Sequence, residues 1–280
     1  SLIDAEYALN GDAGGGSVYK DGRPDVFAMQ IAEKTYADYK LTATNRGGHS
    51  SAPRPDNAIY ALAQALSALE RHRFTPMLNE ATRASFALQA EKDGGRMGEL
   101  IRRFLADPDD RETADLLEAF DPGYTRTRCV ATMLSGGHAP NALPQKAEAT
   151  VNCRIFPGVS VEAVRQQLQA ISGPDVAVTV VPGTQTPETS ATPIRQDIVE
   201  AYRAAVATRF KDAPILPFQS AGATDGAFLR ANGIPVYGFG GLWSIVGERE
   251  GVHGLDERVL ADGFHGQVDI WMEMLRRVAG

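Results

Sequence analysis

The 280-residue sequence has little of what marks several whole classes of protein. Two cysteines are too few for a disulfide-stapled scaffold, and no repeat or low-complexity segment is present. No apolar run approaches the roughly 20 residues that a membrane-spanning helix needs. Lysine and arginine total 28 against 35 aspartates and glutamates, a formal charge of −7 without any basic cluster. We therefore expect a soluble protein that binds neither nucleic acid nor membrane, with its compartment left open.

What the chain does have is clear strand and helix periodicity, with 43% hydrophobic residues. In the segment 147–155 apolar and polar residues alternate, which predicts a strand with one buried face and with Arg154 on the polar face. The segment 161–171 has apolar residues at helical spacing, between Ser160 as a cap and Gly173 beyond the end. Both elements belong to an ordinary globular fold.

The order of such patterns predicts an α/β protein with an inserted domain. Further strand-like runs are 2–9, 26–32, 39–44, 129–134, 176–181 and 234–239, and further helix-like runs are 59–69, 198–205 and 264–275. Between 36 and 182 they predict a four-stranded α+β sheet with two helices and a charged helical insertion at about 78–124. We expect one domain from residues 1–35 and 189–280, interrupted by a second domain at 36–188.

Two loop residues are candidate metal ligands. Asp12 follows a predicted strand within Asn-Gly-Asp-Ala-Gly, where open α/β sheets place functional groups, although the same residues also suit a plain turn. His253 is flanked by glycine and valine in a loop where an imidazole can approach a metal, and a surface histidine is an equal alternative.

Three residues of the inserted domain are candidate substrate-contacting groups. His49 lies between a strand and a helix, with Ser50 and Ser51 as possible local caps. Asn141 lies in a turn between two strands, where asparagine also occurs for conformational reasons. Arg154 has the alternative of a solvated arginine on a sheet face. Each signal is weak when taken alone.

Taken together and in order, these segments resemble one family along almost the whole chain. The family is that of the dinuclear zinc exopeptidases and amidohydrolases, which includes carboxypeptidase G, aminoacylase, succinyl-diaminopimelate desuccinylase and the carnosine dipeptidases. The matching segments are Asp12 with its loop, Gly-Gly-His-Ser-Ser-Ala-Pro at 47–53, Asn-Ala-Leu-Pro at 141–144, Arg-Ile-Phe-Pro-Gly at 154–158, Gly-Ala-Thr-Asp at 222–225 and His-Gly-Leu-Asp-Glu-Arg at 253–258.

The resemblance implies a role for each candidate. Asp12 and His253 would each bind one of two zinc ions, with other divalent metals possible. His49 would reach from a lid domain into the active site of a partner subunit and stabilise the oxyanion. Asn141 and Arg154 would hold the carboxylate or carbonyl of the substrate, a task that suits the planar guanidinium of arginine. The resemblance also implies a homodimer formed through the lid, residues 36–188.

The sequence departs from the family in lacking a His-x-Asp pair and an adjacent Glu-Glu pair, which supply the bridging ligand, another ligand and the general base. We expect them upstream of Ser1, with this chain as the C-terminal portion of a longer protein. Because two ligands cannot hold two zinc ions, we expect the chain by itself to lack a complete centre and to have little or no activity.

Cys129 and Cys153 are each twelve residues from Asn141. A hairpin symmetric about Asn141 would place them opposite each other, and a disulfide would favour an oxidising compartment. A bulge would disturb that register, and free buried thiols are the expectation.

The leading hypothesis is a zinc hydrolase of amide bonds in short peptides or N-acyl amino acids. Within enzymes, the alternative is an amidohydrolase or deacylase of the same fold that acts on a non-peptide amide. Outside enzymes, the alternative is a dimerisation or binding module that keeps the scaffold without metals.

Overall fold

The structure is a computed structural model that describes residues 3–119, 123–248 and 250–279. The strands are β1 (Ala8–Asn10), β2 (Gly15–Val18), β3 (Pro24–Glu33), β4 (Thr35–Thr44), β5 (Gly48–His49), β6 (Arg128–Gly136), β7 (Ala142–Leu143), β8 (Lys146–Ile155), β9 (Val176–Val180), β10 (Ile215–Ser220), β11 (Val236–Phe239) and β12 (Trp243–Ile245). The helices are α1 (Ala58–Arg71), α2 (Glu80–Lys92), α3 (Arg96–Ala106), α4 (Arg111–Glu118), α5 (Val161–Ser172), α6 (Gln196–Ala207), α7 (Gly226–Ala231) and α8 (Ala261–Ala279). The fold is α/β, and the chain divides into two compact units.

Unit 1 consists of Ser1–Glu33, Leu78–Asp107 and Ser190–Gly280. Its six-stranded mixed sheet has the order β1-β11-β3-β2-β12, with β10 also paired to β3. The central strand β3 is almost wholly buried in its second half, and its apolar residues pack with those of α6 and α8. The run 2–9 was expected to be a strand, but within its described part only Ala8 and Leu9 are strand residues.

Unit 2 consists of Lys34–Met77 and Pro108–Thr189. Its four-stranded antiparallel sheet has the order β6-β8-β4-β9, and α1 and α5 pack on one face of it. Alternate residues of β8 are buried, as its sequence pattern predicts. The amide of Ala163 donates to Ser160 Oγ at 3.1 Å, so Ser160 caps α5 as expected.

The helical insertion divides differently from its expected assignment. The sequence pattern attaches about 78–124 to the inserted domain, whereas Leu78–Asp107 belongs to unit 1. The physical reason is packing, because α2 lies against β10 and α3 packs on α2. The side chain of Asn79, the N-cap of α2, donates to Gln219 Oε1 of β10 at 2.6 Å.

The expectation of free thiols is wrong, because Cys129 and Cys153 form a disulfide between β6 and β8. Next to the turn the ladder pairs Gly136 with Ala147, a register that would bring Val130 opposite Cys153. A bulge at Thr132 adds one residue to β6 and shifts the pairing, so that Cys129 lies opposite Cys153. The bulge therefore creates the cysteine pair instead of disrupting it.

Helix α8 is apolar on two opposite faces. Its buried face is formed by Gly263, Gly266, Ile270 and Met274. A second row, here named the α8 stripe, is exposed and consists of Phe264, Val268, Met272 and Leu275. A surface helix of a globular protein normally has one apolar face, so the α8 stripe is an unusual surface. Within the described residues, no helix has the combined length and apolarity that a membrane span requires.

Candidate active site

Asp12 lies in the turn that directly follows β1. Because β1 and β11 are parallel, with Asn10 opposite Gly238, both strands end at the same edge of the unit 1 sheet. Asp12 is exposed there, and its backbone amide donates to Asn10 Oδ1 at 2.9 Å. This is the carboxyl-end position where open α/β sheets bind ligands.

Glycines allow the Asp12 turn to pack closely on the segment that follows β11. Gly14 has φ +85°, and a Cβ at this position would lie 2.6 Å from the carbonyl oxygen of Ala28 and 3.0 Å from that of Gly238. A Cβ on Gly240 would lie 3.3 Å from the amide nitrogen of Gly15. Backbone therefore packs against backbone, which glycine alone permits at Gly14.

His253 lies in the exposed loop that precedes α8. Its φ of 61° is in the left-handed region, which costs a non-glycine residue roughly 1–3 kcal/mol and is concentrated at functional sites. Its amide donates to Glu257 Oε2 at 3.3 Å.

The donor types of Asp12 and His253, a carboxylate and an imidazole, suit zinc. However, among the described residues no three such side chains are grouped closely enough to hold a metal ion. The two residues fit as partial ligands, and the convergence of Asp12 and His253 on one centre stays a prediction.

In unit 2, a short ladder brings His49 next to Asn141. Strands β5 and β7 pair with His49 opposite Ala142, and the amide of Ser50 donates to the carbonyl oxygen of Asn141 at 3.0 Å. Gly47 precedes this ladder with φ +75°, a conformation that favours glycine. His49 and Asn141 are both exposed at this end of the unit.

The contacts of His49 determine which ring nitrogen carries the proton in its neutral form. The backbone amide of Ser51 donates to His49 Nδ1 at 3.2 Å, and Ser51 Oγ is 2.8 Å from the same nitrogen. A backbone amide can only donate, so Nδ1 is an acceptor and Nε2 carries the hydrogen. Nε2–H is therefore a hydrogen-bond donor.

Arg154 lies in β8 of the four-stranded sheet, at the end of that strand away from the β5–β7 ladder. It is half-buried and pairs across the ladders with Tyr36 and Arg128, and its guanidinium lies 4.7 Å from the centroid of the Tyr36 ring. Lys146, at the end of β8 nearest Asn141, is separated from Arg154 by roughly 27 Å at ~3.4 Å per residue. Within one copy of unit 2, Arg154 is therefore far from His49 and Asn141.

Sequence reasoning missed a buried ion pair in unit 1. Glu33 and Arg230 are 2% and 3% exposed, and Arg230 Nη1 donates to Glu33 Oε1 at 2.6 Å. Burial lowers the pKa of the Arg230 guanidinium, while the charge of Glu33 and its hydrogen bond oppose that shift. Thr224, within the Gly-Ala-Thr-Asp segment, binds Glu33 through its amide, whereas the neighbouring Asp225 is exposed. The single acidic residue at the end of the apolar strand β3 was the only available signal.

Comparison with known proteins gives this geometry a context. The model of the peptidase dimerisation domain of the M20 family matches residues 31–179, which is more than half of the chain. The probable carboxypeptidase S-like 2 of Dictyostelium discoideum is 26% identical over 261 residues, covering 90% of this chain and 48% of the relative. The human N-fatty-acyl-amino acid synthase/hydrolase PM20D1 is 24% identical over 279 residues, covering 94% of this chain and 54% of the relative.

The fold has a similar counterpart among solved structures. Aminopeptidase PepT from Bacillus cereus superposes with a TM-score of 0.61 at 14% identity, covering 100% of this chain and 59% of that protein. The chain thus spans about half the length of the curated relatives that it matches. With the dimerisation-domain match over residues 31–179, the chain belongs to the M20 family of metallopeptidase-type hydrolases.

Proposed function

We propose that the protein containing this chain is a zinc-dependent hydrolase of amide bonds in short peptides or N-acyl amino acids. In this proposal unit 1 is part of the catalytic domain, and Asp12 and His253 each supply one ligand to a two-zinc centre that further residues complete. Unit 2 is the lid and forms a homodimer. Membership of the M20 family supports the reaction class.

The observation that carries the proposal is the separation of the candidate groups within unit 2. His49 and Asn141 adjoin at the short β5–β7 ladder, which lies next to the Lys146 end of β8, and Arg154 lies near the other end of β8, roughly 27 Å from Lys146 at ~3.4 Å per residue. A dipeptide-sized substrate cannot contact both ends of one lid. Two copies related by a two-fold axis can present opposite ends of their lids to the same site. Each active site would then take Arg154 from its own chain, and His49 and Asn141 from the partner subunit.

An edge strand and an adjacent helix offer the surface for such a dimer. In the described sheet β6 is an edge strand, and Leu134 is 70% exposed on the face that α1 covers. Ile59 of α1 is 42% exposed, and its side chain would lie 3.3 Å from a Cβ added to Gly136 of β6. An exposed strand edge with apolar neighbours is a template for pairing with a second copy.

Each residue has a chemical task in this proposal. Zinc, when bound, supplies an activated water and polarises the carbonyl of the amide. His49 donates from Nε2–H to the oxyanion, an interaction whose loss typically costs on the order of 10²–10³ in rate. Arg154 pairs with a substrate carboxylate through two parallel hydrogen bonds, while the amide of Asn141 holds the carbonyl.

The names of the two relatives favour substrates with an amino-acid carboxylate next to the cleaved bond. One relative is named as a carboxypeptidase and the other as a hydrolase of N-fatty-acyl amino acids. Both descriptions agree with a positive group such as Arg154 in the site. A peptide and an N-acyl amino acid differ on the acyl side of the bond, which a substrate panel can resolve.

Subunit mixing tests the proposal in the full-length protein. His49→Ala and Asp12→Ala should each abolish most of the hydrolysis of a panel of dipeptides and N-acyl amino acids, whereas His138→Ala, another exposed histidine of unit 2, should retain it. Mixed subunits should recover about one quarter of wild-type activity, because random pairing restores one intact site in each mixed dimer.

The outcomes separate the proposal from its rivals. Failure of the mixture to recover activity would refute the action of His49 across the dimer. Full-length protein without zinc and without turnover on the panel would favour a binding module, and turnover confined to non-peptide amides would favour the amidohydrolase alternative.

A further inference from the structure

The buried pair of Glu33 and Arg230 does not end in the core of unit 1. Arg230 uses all three of its guanidinium nitrogens, since Nη1 donates to Glu33, Nε to Thr192 Oγ1 at 3.1 Å and Nη2 to the carbonyl oxygen of Val236 at 3.3 Å. Its position is therefore determined by three separate contacts. Glu33 keeps capacity for further donors, because each carboxylate oxygen can accept more than one hydrogen bond.

Thr224 uses two of these remaining positions. Its backbone amide donates to Glu33 Oε2 at 2.6 Å, and its hydroxyl lies 3.3 Å from Glu33 Oε1 as a donor. The same hydroxyl oxygen accepts from Asn10 Nδ2 at 3.1 Å and from the amide of Gly226 at 3.1 Å. A hydroxyl has one donor and two acceptor positions, so Thr224 Oγ1 is saturated.

Asn10 continues the network to the Asp12 turn. Its Nδ2 donates to Thr224, and its Oδ1 accepts from the backbone amide of Asp12 at 2.9 Å. Because the amide donates at one end and accepts at the other, the two contacts fix its orientation. The network thus runs without interruption from a buried charge pair to an exposed turn.

The position of this network behind the Asp12 turn points to a role beyond stability. A buried ion pair is by itself weak evidence for stability, since removing two charges from water offsets most of their attraction. Here the network reaches the one turn of unit 1 that carries the candidate ligand Asp12. Hydrogen-bonded groups behind metal ligands orient them, and their removal typically costs 10–100-fold in metal affinity.

We propose that Arg230, Glu33, Thr224 and Asn10 form a positioning relay that fixes the turn on which Asp12 is presented. The inference rests on the proposed function in taking Asp12 as a metal ligand. The four residues are positioning residues, because they act through the Asp12 turn and not on the substrate.

The test compares Thr224→Val with Thr224→Ser in the full-length protein. Valine keeps the shape of threonine and removes the hydroxyl, whereas serine keeps the hydroxyl. Two quantities are measured, the zinc affinity by competition with a chelator and the hydrogen–deuterium exchange of the Asp12 amide. Thr224→Val should lower the zinc affinity roughly 10–100-fold and accelerate exchange, and Thr224→Ser should restore both to near wild-type values.

Two further variants keep the outcomes distinct. Asn10→Ala removes the last link without altering the buried pair, and it should reproduce both effects if Thr224→Val fails to fold. Wild-type exchange at Asp12 in Asn10→Ala, or a Thr224→Ser protein as impaired as Thr224→Val, would overturn the relay. Asp12→Asn tests the proposed function separately, because an unchanged zinc affinity in that variant would refute the ligand assignment and leave the exchange result to decide the relay.

Discussion

Cys129 lies directly opposite Cys153 across β6 and β8, at a Cα–Cα distance of 4.1 Å. The disulfide closes a loop with a sequence separation of 24 residues and ties an exposed edge strand to the buried strand β8. The pairing depends on the extra residue that the bulge at Thr132 introduces into β6. The link therefore restrains the strand that we propose as the dimer edge.

Removal of this disulfide should destabilise unit 2. A cross-link of this loop length typically contributes about 2–4 kcal/mol by restricting the unfolded chain. In urea unfolding, the free energy of unfolding of the double variant Cys129→Ser/Cys153→Ser should be lower than that of the wild type by that amount. A reducing agent should lower the free energy of unfolding of the wild type by a similar amount and leave that of the variant unchanged. Two free thiols in the denatured, non-reduced wild type would contradict the disulfide.

A charge on the edge strand should prevent dimer formation. Leu134→Lys would place an ammonium group in the proposed interface, whereas Phe228→Lys changes another exposed apolar residue, in unit 1, that is 58% exposed against 70% for Leu134. Light scattering coupled to size exclusion should give a monomer for Leu134→Lys and a dimer for Phe228→Lys. A dimer for Leu134→Lys together with a monomer for Phe228→Lys would assign the interface to unit 1.

In the longer protein that we propose, the α8 stripe should be covered, since a helix with two apolar faces belongs between two layers. Val268→Asp should then cost at least about 2 kcal/mol in the free energy of unfolding, because the substitution buries an unpaired carboxylate. His265→Asp, beside the α8 stripe on the same helix, should have a free energy of unfolding within about 0.5 kcal/mol of the wild-type value. Equal, small effects of the two variants would show that the α8 stripe faces solvent.

Glu118 should make the stability of unit 2 sensitive to acid. Burial of this carboxyl opposes its ionisation, but hydrogen bonds from Thr125, the amide of Gly123 and Arg128 outweigh burial and lower its pKa below the ordinary value of 4.5. Since the folded pKa is depressed, the stabilisation is present above about pH 4.5 and is lost as the pH falls through the folded pKa.

The corresponding variant is Glu118→Gln, whose free energy of unfolding should be lower than that of the wild type by about 1.5–3 kcal/mol at neutral pH. The difference from wild type should shrink as the pH falls below 4.5, as measured by urea unfolding between pH 7 and pH 3. Glu112→Gln, an exposed residue of the same helix, should follow the wild type throughout. A difference that stays constant with pH would rule out the carboxylate as its source.

Periodicity in the sequence predicts the elements whose burial is one-sided. The alternation in β8 and the capped stripe of α5 are examples, because one face of each contacts the core. Strand β10 escapes prediction because Pro217 argues against a strand, yet within the described sheet β10 pairs only with β3, and an edge strand tolerates proline. Strand β2 escapes because it begins with two glycines.

In the candidate site, too, the sequence predicts short local segments but not the contacts between residues that are distant in the chain. His49 and Asn141 are visible as short segments, and their adjacency follows from a two-residue ladder that no periodicity reveals. Glu33, Thr224 and Arg230 come from β3 and from the region around α7, so their contact depends on tertiary packing. The cysteine pair depends on a single-residue bulge, and counting residues from Asn141 in the sequence does not reveal that bulge.

The pairing of β4 with β8 is unbroken from Thr35 opposite Ile155 to Thr44 opposite Lys146. The four-stranded sheet of unit 2 therefore has a fixed length along these strands. One residue inserted within β8 would either turn every following side chain to the other face or be absorbed as a bulge, as at Thr132 of β6, so the span of the strand changes only in steps. Under the proposed function, adaptation to longer or shorter substrates would therefore arise more readily in the loops at the two ends of this sheet.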